Sequence, residues 1–336
     1  MKTKSLTVLI QSFLTDWPRR RGLSSPTVLS YRDTIKLLLC FTVEETGRPV
    51  TKLDVPDLTA ERVIGFLDYL EQERNNCIAT RNNRLMVIRS FFSYVALLEP
   101  GWAEHCHRVC AIPLKKEPTR SIPYLELDEM HALLKQPNRK TPDGRRDYAL
   151  LLFLYNTGAR VQELVSVKIC DINLHRPRQV LLHGKGKKDR WCPLWEETAQ
   201  VIMTLLEESK ITQQEQAVVF RNHLKKPLSR FGVDYILKKY GRLASVTQPG
   251  LKKKRLSPHT IRHTTAVHLL NSGVDINVIR GWLGHVDLAT TNIYAEINQT
   301  TKMKALERCN PTSSVGNPEP PSWKKQEDIL AWLESL

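Results

Sequence analysis

Between Pro100 and Pro123 the helical apolar periodicity of this chain fails, and that break constrains the possible fold more than any other feature. Pro113, Pro118 and Pro123 recur there among Lys115, Lys116 and Arg120. Proline fixes φ and lacks an N–H donor, so such a stretch favours extended backbone over helix. A chain of 336 residues also exceeds the usual size of one compact domain. Two domains are expected: a helical one over 1–110, a basic linker over 111–124 and a second domain over 125–310. The 41% hydrophobic content is enough for both cores.

Ahead of the break the patterning is that of short amphipathic helices. Leu6, Leu9, Ile10, Phe13 and Trp17 form a first stripe, expected to stop at Pro18. Ser25-Pro26 offers a cap and a first-turn proline for a second helix through Leu29, Ile35 and Leu38. A third stripe runs through Val63, Phe66, Leu67 and Leu70. A fourth runs through Leu85, Ile88, Phe92 and Val95, interleaved with Arg81, Arg84 and Arg89. Those arginines are candidates to line a DNA-facing groove, or they form the solvated side of a core helix.

Beyond the break, helical patterning returns over 126–134 and 147–156. The apolar run from Tyr148 to Tyr155 suits a buried core helix closed by a turn at Asn156-Thr157-Gly158. Residues 179–183 and 189–194 read as two strands around Gly184-Lys185-Gly186-Lys187-Lys188, a β-hairpin with a lysine-rich tip. Helices then dominate to Pro311. The tail 311–336 is Pro-rich, and Trp323, Ile329, Leu330, Leu333 and Leu336 give it a short apolar-faced helix. Such a helix is marginal alone and needs a surface on its own domain or on a neighbouring subunit.

Charge and cysteine content narrow the partners. Fifty Lys and Arg against 35 Asp and Glu give a formal charge of +15. A polyanion is the natural partner for such a surface, although a basic, inert exterior has the same composition. No apolar run approaches the ~20 residues that cross a bilayer, so no membrane association and a cytoplasmic location are expected. The 7 cysteines are scattered, which speaks against a disulfide framework. His105-Cys106-His107 and Cys110 offer four ligand atoms, but no second pair answers them, and no metal site is expected.

Cutting DNA without hydrolysis demands a side-chain nucleophile, cations for the charge gathering on the phosphate, and an acid for the departing 5′ oxygen. Arg160 directly follows the Gly158 turn, with Glu163 three positions on, where one helix face can carry both and let the carboxylate orient the arginine. In His259-Thr260-Ile261-Arg262-His263 the step of three puts His259 and Arg262 on one face of a helix begun by Ser257-Pro258. Leu283-Gly284-His285 precedes Thr290-Thr291-Asn292-Ile293-Tyr294.

Taken in order, Arg160, the glycine-bounded Lys185, His259-x-x-Arg262, Leu-Gly-His285 and Tyr294 closely resemble the signature of the tyrosine recombinase, or phage integrase, family. The resemblance spans about 125–297, and the helical N-terminal half resembles the family's core-binding domain. It implies a mainly α, two-domain DNA clamp whose catalytic domain is mixed α/β with a small antiparallel sheet. It further implies that Arg160, Arg262 and His285 contact the scissile phosphate, with arginine suited by its planar, permanently charged fork. Lys185 would protonate the 5′ oxygen, His259 would accept the proton of Tyr294 or steady the activated phosphate, and Tyr294 would be the nucleophile. His263, one turn from His259, competes for its role but is expected to be a structural partner; His268 is expected in the core or at the surface.

A phosphotyrosyl bond conserves the energy of the phosphodiester, so neither metal nor cofactor is implied. Lys187 and Lys188 join Arg81, Arg84 and Arg89 as candidate DNA contacts. The implied partners are double-stranded recombination sites held by a homo-tetramer, with related recombinases or accessory proteins. Integration or transposition of a mobile element is the expected role. One departure from the pattern is Glu296, where the family often carries a histidine; the position is not catalytic. Two rivals share these residues. A type IB topoisomerase would relax any plasmid, and a DNA-binding regulator would have lost the chemistry.

Overall fold

The computed structural model describes residues 4–117, 122–184, 188–210 and 215–284. Lys185, Lys187, His285, Tyr294 and the tail 311–336 lie outside the described residues. The chain divides into two compact units, Met1–Arg120 and Ser121–Leu336.

The first unit contains α1 (Leu6–Arg21), α2 (Ser25–Thr46), α3 (Ala60–Gln72), α4 (Ile78–Leu98) and α5 (Ala103–Cys110). The expected apolar stripes meet in one core built on Leu9, Phe13, Leu38, Phe66, Phe91 and Phe92. Contrary to expectation, α1 does not stop at Pro18 but continues one turn to Arg21. Only one N–H is missing so close to the end, and the carbonyls of Pro18 and Arg19 are taken by the N–H groups of Leu23 and Gly22, the latter with φ of 60°. Ser24, not Ser25, occupies the cap position of α2, with Pro26 in the first turn.

After α5 the chain stays tied to α4. Asn82 receives the N–H of Lys115 and donates to its carbonyl, at 3.1 and 2.8 Å. The Arg89 guanidinium donates to the carbonyl of Ile112. Of the four cysteine and histidine side chains clustered here, Cys106 is buried and His105 hydrogen-bonds the carbonyl of Leu58. Among the described residues no group of three potential ligands is placed to hold a metal ion.

The second unit contains α6 (Leu127–Leu134), α7 (Pro142–Thr157) and α8 (Val161–Ser166), then β1 (Ile172–Asn173), β2 (Gln179–His183) and β3 (Asp189–Pro193). It continues with α9 (Glu196–Glu208), α10 (Arg230–Ala244), α11 (Pro258–Asn271) and α12 (Ile276–Leu283). The β2–β3 hairpin strands form as read, in the register Val180↔Cys192 and Leu182↔Arg190, and the short β1, which the patterning did not announce, completes the expected small antiparallel sheet. Helix α7 is sheathed on nearly every side, with Leu150, Leu151, Phe153 and Leu154 in the core. That explains its almost unbroken apolar run. Among the described residues no helix is long and apolar enough to cross a membrane.

Candidate active site

The site begins where α7 ends. Gly158 closes that helix at φ of 58°, and a Cβ there would lie 2.6 Å from the Leu283 side chain, so both backbone and space require glycine. The turn delivers Arg160 to the cap of α8. Its N–H donates to Glu163 Oε2 at 2.8 Å and its Nη1 to Glu163 Oε1 at 2.9 Å. The Glu163 carboxylate thus accepts from both the N–H and the guanidinium of the cap residue, the pairing that the spacing suggested. The Arg160 side chain nevertheless stays 38% exposed.

Arg262 arrives on α11, whose first turn is fixed by Ser257 Oγ accepting the Thr260 N–H at 3.2 Å and by Pro258. The residue is 2% exposed, and its guanidinium donates to the carbonyls of Gly158 and Leu283 at 2.8 and 2.6 Å. Arg160 reaches the adjoining Gly284 carbonyl at 3.2 Å. Two arginines separated by a hundred residues thus meet at the turn after α7 and at the C terminus of α12.

His259 lies one turn before Arg262 on α11, with its surface open to solvent. Desolvation by the packed protein beneath it, then the charges of Arg262 and Arg160, hold its pKa below the ordinary imidazole value. It is therefore neutral near pH 7 and able to accept a proton. His263 packs edge to face against it at 4.2 Å and is pushed down to about 4 by burial and then by His259 and Arg262. His268 sits apart from both. It joins Tyr155 Oη at 2.7 Å to the Leu125 carbonyl at 2.9 Å, which makes its Nε2 the donor and its Nδ1 the acceptor of the tyrosine proton.

The hairpin also reaches this site. A Cβ added to Gly184 would stand 3.8 Å from Glu163 Oε1, so the chain entering the lysine-rich tip passes beside that carboxylate. Where the hairpin strands enter the loop, His183 bridges Asp171 and Asp189 at 3.2 and 3.0 Å. The hydrogen bonds its ring donates to these two carboxylates raise its pKa. Lys188 is exposed.

Of the α4 arginines, Arg81 is buried in an ion pair with Glu71 at 3.0 Å. Arg84 and Arg89 are half-buried; Arg84 donates to Thr34 Oγ1 at 3.2 Å.

One residue escaped the sequence reading. Arg190, on β3, forks onto Glu163 with bonds of 3.0 and 2.8 Å. Burial would raise the carboxyl pKa of Glu163, but the bonds and charge of Arg190, joined by the N–H and guanidinium of Arg160, outweigh it and lower the pKa. The signal was present: Arg190 shares a strand face with Cys192 and the cross-strand Leu182, both buried, and a lone arginine on an apolar face calls for a buried partner.

An open arginine and a buried one, converging beside a neutral histidine, make a site suited to an oxyanion such as a phosphodiester. Comparison with known proteins fits this chemistry. The phage integrase family pattern matches residues 123–301, and the N-terminal SAM-like domain of phage integrases matches residues 10–97. The putative integrase/recombinase y4rC of Sinorhizobium fredii is 35% identical over 336 residues, covering 100% of this chain and 99% of its own. Tyrosine recombinase XerD of Listeria monocytogenes is 31% identical, covering 90% and 98%.

Two solved structures are alike in fold. The Tn1549 transposon integrase with circular intermediate DNA has a TM-score of 0.67 at 17% identity, covering 89% of this chain and 99% of that one. The XerH site-specific recombinase bound to difH substrate has a TM-score of 0.63 at 21% identity, covering 86% and 81%. This chain belongs to the phage integrase, or tyrosine recombinase, family. It is an enzyme of DNA strand cleavage and rejoining.

Proposed function

We propose that this recombinase cleaves each strand at a specific site through a 3′-phosphotyrosyl intermediate on Tyr294, in the integration or transposition of a mobile element. The observation that carries the reading is the convergence of Arg160 and Arg262 on one turn, with neutral His259 on the same helix as Arg262. Arg160, Arg262 and His285 bind the non-bridging oxygens of the scissile phosphate. His259 takes the phenolic proton, the Tyr294 oxygen bonds to phosphorus, and the phosphorus–O5′ bond breaks as Lys185 donates a proton to the leaving oxygen. Preorganised cations at the developing charge are the largest catalytic contribution. One phosphoester bond replaces another, so the reverse reaction reseals a strand without a cofactor.

Glu163 orients Arg160. Arg84, Arg89, Lys187 and Lys188 contact the DNA backbone, and the buried Arg81 braces that face from within. The partners are double-stranded sites bridged by a homo-tetramer in the cytoplasm, with related recombinases or accessory proteins where the sites require them. The similarity to a putative integrase/recombinase along the whole chain supports the mobile-element role.

Capture of the covalent complex tests the reading. Sheared genomic DNA is incubated with the protein, adducts are isolated under denaturing conditions, and the attached strands are sequenced. A shared sequence at the attached 3′ ends is expected. Adducts at random positions, together with relaxation of a plasmid lacking any such site, would indicate a topoisomerase instead.

A further inference from the structure

Three arginines from three elements end on three successive carbonyls at the C terminus of α12. Arg190 Nε donates to Trp282 at 2.8 Å, Arg262 to Leu283 at 2.6 Å and Arg160 to Gly284 at 3.2 Å. A helix C terminus gathers carbonyls without intrahelical partners and the negative end of the macrodipole, which draws cations. Two of these arginines belong to the phosphate site proposed above. Arg190 differs, because its other two nitrogens are committed to both oxygens of Glu163, so all three are engaged within the protein and two of them on a carboxylate.

Its charge still bears on the reaction. Glu163 carries one negative charge and is shared by two guanidiniums. With Arg190 present, Arg160 keeps most of its positive charge for an incoming anion. With Arg190 absent, the carboxylate would draw Arg160 to itself and cancel that charge. Gly284 makes the packing possible: at φ of 65° it lies against Arg190, where a Cβ would stand 3.0 Å from the arginine Cδ. The next residue in the chain is His285.

We propose that Arg190 is a positioning residue for strand cleavage: it neutralises Glu163 and holds the Trp282 carbonyl, leaving Arg160 charged for the scissile phosphate and fixing the chain that enters His285. This inference rests on the cleavage reading above.

The test uses a pool of nicked duplexes randomised around the nick and follows the SDS-stable adduct formed by the full chain. Arg190→Gln is expected to slow adduct formation about 10- to 100-fold at nearly unchanged DNA affinity. Arg190→Lys should recover part of the rate. The decisive variant is Arg190→Gln combined with Glu163→Gln, which should be faster than Arg190→Gln alone because the competing negative charge is gone. A scaffold role would leave the double variant as slow or slower. Should Arg190→Gln not fold, Arg190→Lys with and without Glu163→Gln carries the same comparison.

An undiminished rate in the Arg190 variant that folds, or no gain on adding Glu163→Gln, overturns the proposal. Arg160→Ala is run alongside. If it cleaves at the wild-type rate, or if the wild type forms no adduct, the cleavage reading itself fails and this inference falls with it.

Discussion

Each unit of this protein contains a glutamate shared by two cations, and the two trios differ in which member is left open. In the first unit Glu71 joins Arg81, 5% exposed, to Lys115, 46% exposed. In the second, Glu163 joins Arg190, 8% exposed, to Arg160, 38% exposed. The buried member of each trio fixes the carboxylate. The open lysine ties a chain segment to the surface of its unit, whereas the open arginine stands beside His259 and Arg262, where a phosphate can use its charge. On the cleavage mechanism proposed above, the same ionic arrangement is structural in one setting and chemical in the other.

The comparison breaks most visibly if covalent chemistry does not belong to the second unit. Tyr294→Phe should retain DNA binding and form no SDS-stable adduct; an undiminished adduct would remove Tyr294 from the mechanism. Next in size, Arg160→Ala or Arg262→Ala should lower the cleavage rate by about 10²- to 10³-fold, with a much smaller loss of binding. Lys115→Ala, the matching change in the first unit, should leave cleavage near wild type. Equal losses in the two units would erase the distinction.

Arg81→Ala should instead cost stability, about 3 kcal/mol, because it strips a partner from a buried ion pair. Denaturant melting would report the loss, and cleavage per folded molecule should hold. The smallest effect concerns pH. His263 is held at about 4 against an ordinary 6.5. Above 6.5 neither folded nor unfolded protein carries this proton. As pH falls from 6.5 towards 4 the unfolded chain binds it and the folded one resists, so stability declines across that window and levels below it. Calorimetric melting temperatures at pH 7, 6 and 5 should fall in order, less steeply in His263→Gln.

Much of this was legible in the sequence because it depends on short-range rules. Helical periodicity announced α1 to α4 and the buried α7. Ser257-Pro258 set the start of α11, and the three-residue step from Arg160 to Glu163 foretold their pairing. Arg81 was less legible. Its position on α4 is periodic, but whether it met solvent, DNA or Glu71 depended on a residue from α3. The end of α1 also eluded local rules, since Pro18 is accommodated by a turn whose hydrogen bonds close only after it.

The sequence by itself determined the division into two units, the order of the candidate reactive side chains, and the family to which they point. Their types and spacings are properties of the chain. Only the tertiary structure decided that Arg190 stands behind Glu163, that Arg160, Arg190 and Arg262 end on three successive carbonyls of one helix, and that the pKa of His259 is lowered. Those facts depend on burial and on charges brought together from distant positions, and neither exists until the chain has folded.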